Sequence, residues 1–153
     1  MTPAPYGPKV LFLDIDGVIL SYGRIRTSEG RLTRDVPEQH LCDRVNLIIQ
    51  GTGAALVVSG AMRRHFDDLE GLRIHLEKAG LDTSTFFGAT GVPCQWRGDE
   101  IQEWLDEHPD VQSFLILDDE GGMLHLDPHL LLVEDRNKGI STEEALEAIR
   151  RLR

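Results

Sequence analysis

Val10-Leu11-Phe12-Leu13-Asp14-Ile15-Asp16-Gly17 is the stretch that decides how this chain folds. Four apolar residues without a polar interruption suit a strand covered on both faces, the pattern of a central strand in a parallel sheet. The strand runs directly into two acids and a glycine. Residues two apart on extended chain point to the same side, so Asp14 and Asp16 can both face a ligand above the sheet. Gly17 then lets the backbone turn sharply with no side chain in the way.

The same grammar recurs outward from there. Ala54–Val58 is a second buried strand and runs into Ser59-Gly60, while Phe114–Leu117 is another and runs into Asp118-Asp119-Glu120. Thr85–Gly88 and Leu130–Val133 complete the predicted strands. Between them the apolar period changes to that of helices. One helix is predicted from about Asp35 and Pro37, with Leu41, Val45, Ile48 and Ile49 on one face and Gly51 and Gly53 stopping it. A second carries Phe66, Leu69, Leu72 and Leu76 and ends at Gly80. A third begins near Gly98, presents Ile101, Trp104 and Leu105, and has Pro109 just beyond its end. Ser141 with Glu144 forms a capping box ahead of Ala145, Leu146, Ile149 and Leu152. Residues 18–35 lack a clear period and read as a loop or short hairpin flap. Strands alternating with helices predict the α/β class. The expected architecture is a three-layer, Rossmann-like, doubly wound parallel sheet of about five strands. Residues 1–153 are expected to form one domain with no large cap domain.

Composition narrows the class. The 153 residues are 41% hydrophobic and 27% charged, as in ordinary globular proteins. A net charge of -10, from 26 acids against 16 bases, excludes a simple basic nucleic-acid coat protein while leaving room for a local basic groove. The longest apolar runs fall far short of a membrane span. The opening residues lack a basic segment followed by an apolar one, so no signal peptide is expected. Cys42 and Cys94 lie far apart, without metal-ligand spacing, and read as two reduced thiols. A cytoplasmic protein with no membrane association and no obligate protein partner is the expectation.

In doubly wound sheets ligands bind in the crevice at the carboxyl ends of the strands. Asp14, Asp16, Asp118 and Asp119, with the Ser59 hydroxyl, all fall at such ends. A single Asp there is commonly a turn or cap residue. Several crowded together repel one another unless a cation lies among them, and hard oxygen ligands suit Mg²⁺. One carboxylate can then attack while another moves a proton. Four arginines, Arg24, Arg26, Arg31 and Arg34, fall within residues 21–34 with Glu29 as the one acid there. They suit either phosphate contacts or a solvated loop, and Arg63 and Arg64 extend the same rim. His125-Leu126-Asp127-Pro128-His129 reads as a surface loop, since Pro128 prevents a regular helix and no further zinc-ligand spacing appears. Trp104 reads as core, Trp96 as a residue able to stack on a base. Arg136 or Lys138, after the last strand, could reach a substrate.

Residues 10–18 also resemble the first signature of the haloacid dehalogenase (HAD) superfamily of phosphotransferases. Ser59 resembles the second signature, Arg97 before a helix the third, and Asp118-Asp119 the fourth, with order and spacing matching from about residue 9 to 120. The resemblance extends to small HAD domains associated with nucleic-acid end repair. It rests there on Ala54–Ser59, on Trp96-Arg97-Gly98-Asp99-Glu100-Ile101 leading to Trp104-Leu105, and on Ile116-Leu117-Asp118-Asp119. Gly60-Ala61-Met62 departs from the Ser- and Trp-containing segment expected at that point.

The resemblance implies a HAD-like fold and a phosphatase acting through an aspartyl phosphate. Asp14 would be the nucleophile, and Asp16 the acid and base. Ser59 would donate to a phosphoryl oxygen, and Arg97 would balance charge in a slot where Lys is more usual. Gly17, Gly60, Arg24, Arg26 and Arg63 would help to bind substrate. Mg²⁺ would be the cofactor, held by Asp14, the Asp16 carbonyl, Asp118 and Asp119. An uncapped cleft admits large substrates, so a polynucleotide terminal phosphate is expected. The alternatives are a small nucleotide or phosphorylated metabolite, or a non-catalytic HAD-fold binding or regulatory domain.

Overall fold

Each apolar run predicted to be a strand is one, and all of them join one sheet. The structure, a computed structural model, describes residues 9–23, 36–60, 66–91 and 96–153. The strands are β1 (Lys9–Asp14), β2 (Ala55–Ser59), β3 (Phe86–Ala89), β4 (Ser113–Asp118) and β5 (Leu130–Leu132). They lie in the order β3-β2-β1-β4-β5, every pair parallel. β1 is therefore central, and its apolar run is buried on both faces.

Alternation along the strands separates two cores. Val10 and Phe12 of β1, with Val57 and Ile116, pack under Ile101 and Trp104. Those last two belong to α3 (Arg97–Glu107), defined after α1 (Gln39–Thr52) and α2 (Leu69–Lys78) in chain order. Leu11, Leu13, Leu56 and Leu117 face the other way, onto α1, α2 and α4 (Thr142–Leu152). The result is the expected doubly wound, Rossmann-like α/β fold. Phe12 anchors the α3 side through edge-to-face contacts with Trp104 and Phe114 at 5.3 and 5.9 Å between ring centres. Burying one such side chain contributes about 1.5–3 kcal/mol.

The helix boundaries show which local signals won. α1 buries Leu41, Val45, Ile48 and Ile49 as expected, but Gly51 lies inside it. The helix ends at Gly53, whose left-handed φ of 69° lets its N–H reach the Ile49 carbonyl. A side chain at Gly51 would touch Ile149, which is where α4 packs on α1. α2 begins later than its apolar period suggests, because the Asp68 carboxylate caps it by accepting the Gly71 N–H at 2.7 Å. Leu72 and Leu76 are buried, Leu69 is half exposed, and Phe66 precedes the helix and packs against the core. Leu124–His129 forms a 3₁₀ turn around Pro128, and His129 stacks on Phe114 at 4.1 Å. Cys42 is buried and free, its thiol pushed up to about 12 first by burial and then by Asp43 and Glu38.

One expectation needs correction at its start. Val18, Ile19 and Leu20 are buried in a turn closed by the Gly17 N–H on the Leu20 carbonyl at 2.8 Å, so the predicted flap does not begin at residue 18. Three successive apolar residues are drawn into the core beneath the carboxyl edge. Arg24, Arg26, Arg31 and Arg34, with Arg63, Arg64 and Cys94, lie outside the described residues. No helix among the described residues is long and apolar enough to cross a membrane.

Candidate active site at the carboxyl edge of the sheet

The register that aligns the apolar cores also aligns their polar successors. Asp14, the last residue of β1, pairs with Ser59, the last of β2. Asp118 ends β4 on the other flank of β1. Thr90 follows β3, its N–H donated to the Val58 carbonyl at 2.9 Å. The alternation that gave Phe12 and Val57 to the α3 side puts Asp14 and Ser59 there as well. All four side chains are buried, and the Ser59 and Thr90 hydroxyl oxygens have no hydrogen-bond partner among the described residues. An unsatisfied buried hydroxyl costs about 1–3 kcal/mol, so both are poised for a ligand oxygen.

Asp14, Asp118 and Asp119 each bring a carboxylate oxygen within 4.8 Å of the others. Asp16 stands outside that side-chain group. It is half-buried, its backbone bridges to Leu20, and its charge acts on Tyr22. The glycines fit closely around the acids. Gly17, at φ 84°, leaves room for the Asp119 carboxylate, and Gly60, at φ 97°, leaves room for that of Asp14; a Cβ at either position would collide. The departure at Gly60 thus has a steric reason.

Arg97 is the first residue of α3, and the helix aims it back at the sheet edge. Its Nη1 donates a hydrogen bond to Asp118 Oδ2 and lies 3.5 Å from Asp14 Oδ1. Burial works to lower the guanidinium pKa, but the Asp14 and Asp118 charges outweigh it, so the group is held firmly protonated. Burial raises Asp14 well above the carboxylate range; Asp118 raises it further, and Arg97 only partly offsets them. Burial also takes Asp118 up to about 6, against the opposing pull of Arg97 and of the Glu120 N–H, which donates to Asp118 Oδ1 at 3.0 Å. Carboxylates this crowded retain a proton that a cation would displace.

The donor set fits Mg²⁺ on the structure's own terms. Three buried carboxylates converge, and among the described residues Asp119 Oδ2 makes no hydrogen bond but a 3.4 Å ion pair to the exposed Arg136. An all-oxygen site of this kind is one that Mg²⁺ takes.

Several residues here were not legible in the sequence. Thr90 escaped because the predicted third strand ended at Gly88; one more residue would have carried it to the same edge. Tyr22 escaped altogether. Its N–H is donated to the Arg136 carbonyl at 2.9 Å, and its ring lies 5.7 Å from the Arg136 guanidinium. Burial first, then Asp119, Asp16 and Asp14, raise the phenol's pKa. Arg136, only glimpsed in the sequence, donates to the Asp119 carbonyl at 2.9 Å. No positional pattern predicts that residues 22 and 136 meet. Lys138 is exposed.

Compared with known proteins, residues 10–145 match the family described as the HAD domain in Swiss Army Knife RNA repair proteins. No curated protein and no solved structure matches the chain.

Proposed function

This chain belongs to the family of HAD domains in Swiss Army Knife RNA repair proteins, and on that premise we propose that it is a Mg²⁺-dependent phosphohydrolase that removes a terminal phosphate from a polynucleotide. The carrying observation is the surrounding of Asp14: a buried carboxylate at the end of the central strand, with Ser59 on one side and Arg97 with Asp118 on the other. An Asp14 oxygen attacks phosphorus, the bond to the substrate oxygen breaks, and an aspartyl phosphate forms. Asp16 gives its proton to the leaving alkoxide and then takes one from the water that hydrolyses the intermediate. The second carboxylate favours phosphate over halide chemistry, since a departing halide needs no proton. Ser59 donates its free hydroxyl hydrogen to a phosphoryl oxygen, and Arg97 stabilises charge on the transferring group. Mg²⁺ held by Asp14, Asp118 and Asp119 would neutralise the phosphoryl oxygens and orient them.

Arg24, Arg26, Arg31, Arg34 and Arg63 would contact backbone phosphates of a long substrate. Salt should then depress kcat/KM on a phosphorylated oligonucleotide, with a log–log slope of about -0.7 per phosphate contacted. The decisive experiment incubates the protein with Mg²⁺ and oligonucleotides phosphorylated at either end, and measures released phosphate. Wild type should release it and trap beryllofluoride at Asp14, and folded Asp14→Asn should do neither. Undiminished release by Asp14→Asn would sink the mechanism.

A further inference from the structure

The structure holds a cavity of about 420 Å³ that the reaction as described does not use. It lies between the start of α3 and the segment after β4. Trp96, Gly98 and Asp99 line one side, and Met123, Leu124 and His125 the other. Both walls follow in the chain from residues of the reacting centre. Trp96 directly precedes Arg97, whose guanidinium reaches Asp14 and Asp118, and the opposite wall continues from Asp118 and Asp119.

Two features of this cavity run against what folding alone favours. Trp96 is 64% exposed, although an indole gains from burial and Trp104, one helix face away, is buried. Leu124 is 81% exposed and adopts φ 55°, the one non-glycine residue among those described with a positive φ. A bulky side chain in the left-handed region is strained, and such strain collects at ligand sites. Here it holds an apolar side chain out in water, opposite a bare indole.

The lining also defines the occupant. Among its described residues there is no Arg or Lys, and the acidic Asp99 would repel a phosphate. His125 is engaged with Gln102 at 2.6 Å. The cavity therefore suits the uncharged part of a substrate whose phosphate sits at Asp14. That part has apolar faces for Trp96 and Leu124, and donors on its rim for the exposed Asp99 carboxylate, which can only accept. We infer that this cavity is the subsite for the nucleobase of the phosphorylated terminal nucleotide of an RNA end. Trp96 stacks on the base, and Asp99 accepts from its amino or imino edge. The inference rests on the polynucleotide phosphatase reading and adds to it how the end is recognised: through its last base as well as its backbone.

The experiment compares two RNA oligonucleotides identical except that the terminal phosphorylated nucleotide carries a base in one and is abasic in the other. Aromatic stacking on a base changes affinity by about five- to 150-fold. Wild type should therefore prefer the base-bearing end in kcat/KM by roughly tenfold or more. Trp96→Ala should bring that ratio close to one, and Trp96→Phe should restore most of it. A variant that merely damaged the fold would slow both substrates and leave the ratio standing. The second readout is binding to Asp14→Asn protein, monitored by quenching of tryptophan fluorescence, with Asp14→Asn/Trp96→Ala as the reference for the buried Trp104. The base-bearing oligonucleotide should quench it more strongly than the abasic one. Equal hydrolysis of both ends by wild type, or a ratio untouched in Trp96→Ala, overturns the subsite while leaving the phosphatase standing. Base-dependent quenching in a protein that hydrolyses neither end keeps the subsite and overturns the phosphatase. A preference shown equally by a free nucleoside monophosphate means the occupant is a mononucleotide, and overturns the RNA end.

Discussion

Two helices of this molecule begin in opposite ways. α4 starts at Ser141, whose hydroxyl accepts the Glu144 N–H while the Glu144 carboxylate accepts the Ser141 N–H at 2.8 Å. Acids occupy its first turn and Arg150 and Arg151 its last, as the helix dipole favours. α3 starts after Trp96, which provides no side-chain cap, and its first residue is Arg97, a cation at the positive end of the dipole. One turn on, Glu100 is buried with an oxygen that has no hydrogen-bond partner among the described residues. α3 shares an acidic first turn, with Asp99 and Glu100, but it lacks the side-chain cap and starts on a cation. The α3 start is therefore maintained by what it faces, the carboxylates of the sheet edge, and it is where chemistry is expected.

That contrast can be broken by experiment, and Asp14 gives the largest effect. Asp14→Asn should lower turnover by at least about a thousandfold, the scale seen when a covalent nucleophile is lost, with the melting temperature held or raised because a repelled buried charge is gone. Next comes Arg97→Ala, expected to cost about a hundred- to a thousandfold in kcat. Arg97→Lys should recover part of this, and a kcat equal to wild type in Arg97→Ala would reduce α3 to a structural helix.

Metal and proton should compete at the same edge. With burial raising Asp14 and taking Asp118 up to about 6, these two groups bind more protons in the metal-free folded protein than in the unfolded chain once the pH exceeds about 4. The stability these groups contribute is present at low pH and lost as pH rises through about 6. Mg²⁺ replaces the proton, so its effect on the melting temperature should be larger at about pH 7.5 than at about pH 5. At a hundredfold excess over its Kd it should stabilise by about 2.7 kcal/mol. Equal shifts at both pH values, followed by differential scanning fluorimetry, would argue against a shared carboxylate site. EDTA should abolish phosphate release.

The smallest effect belongs to the conventional helix. Ser141→Ala removes one half of the capping box and should destabilise the protein by about 1 kcal/mol in urea unfolding. Its kcat on an oligonucleotide should match wild type. A change in kcat there would mean that the two helix starts are not the separate cases they resemble.

Amino-acid order by itself determined the sheet and most of its edge. Val10–Leu13, Ala54–Val58 and Phe114–Leu117 are short unbroken apolar runs that suit buried parallel strands, and Asp14, Ser59, Asp118 and Asp119 follow them. Once strands are parallel and in register, residues that follow them must meet at one edge, so linear order translates into proximity. Tertiary structure decided how residues from elsewhere approach that edge. The turn that buries Val18–Leu20 brings Tyr22 to Arg136, the packing of Ile101 and Trp104 swings Arg97 onto Asp14 and Asp118, and the strained Leu124 closes a cavity opposite Trp96. Those meetings join segments far apart in sequence through loops with no period of their own. Their geometry is set by how α3 and the segment after β4 settle on the sheet, which side-chain packing fixes and residue order does not.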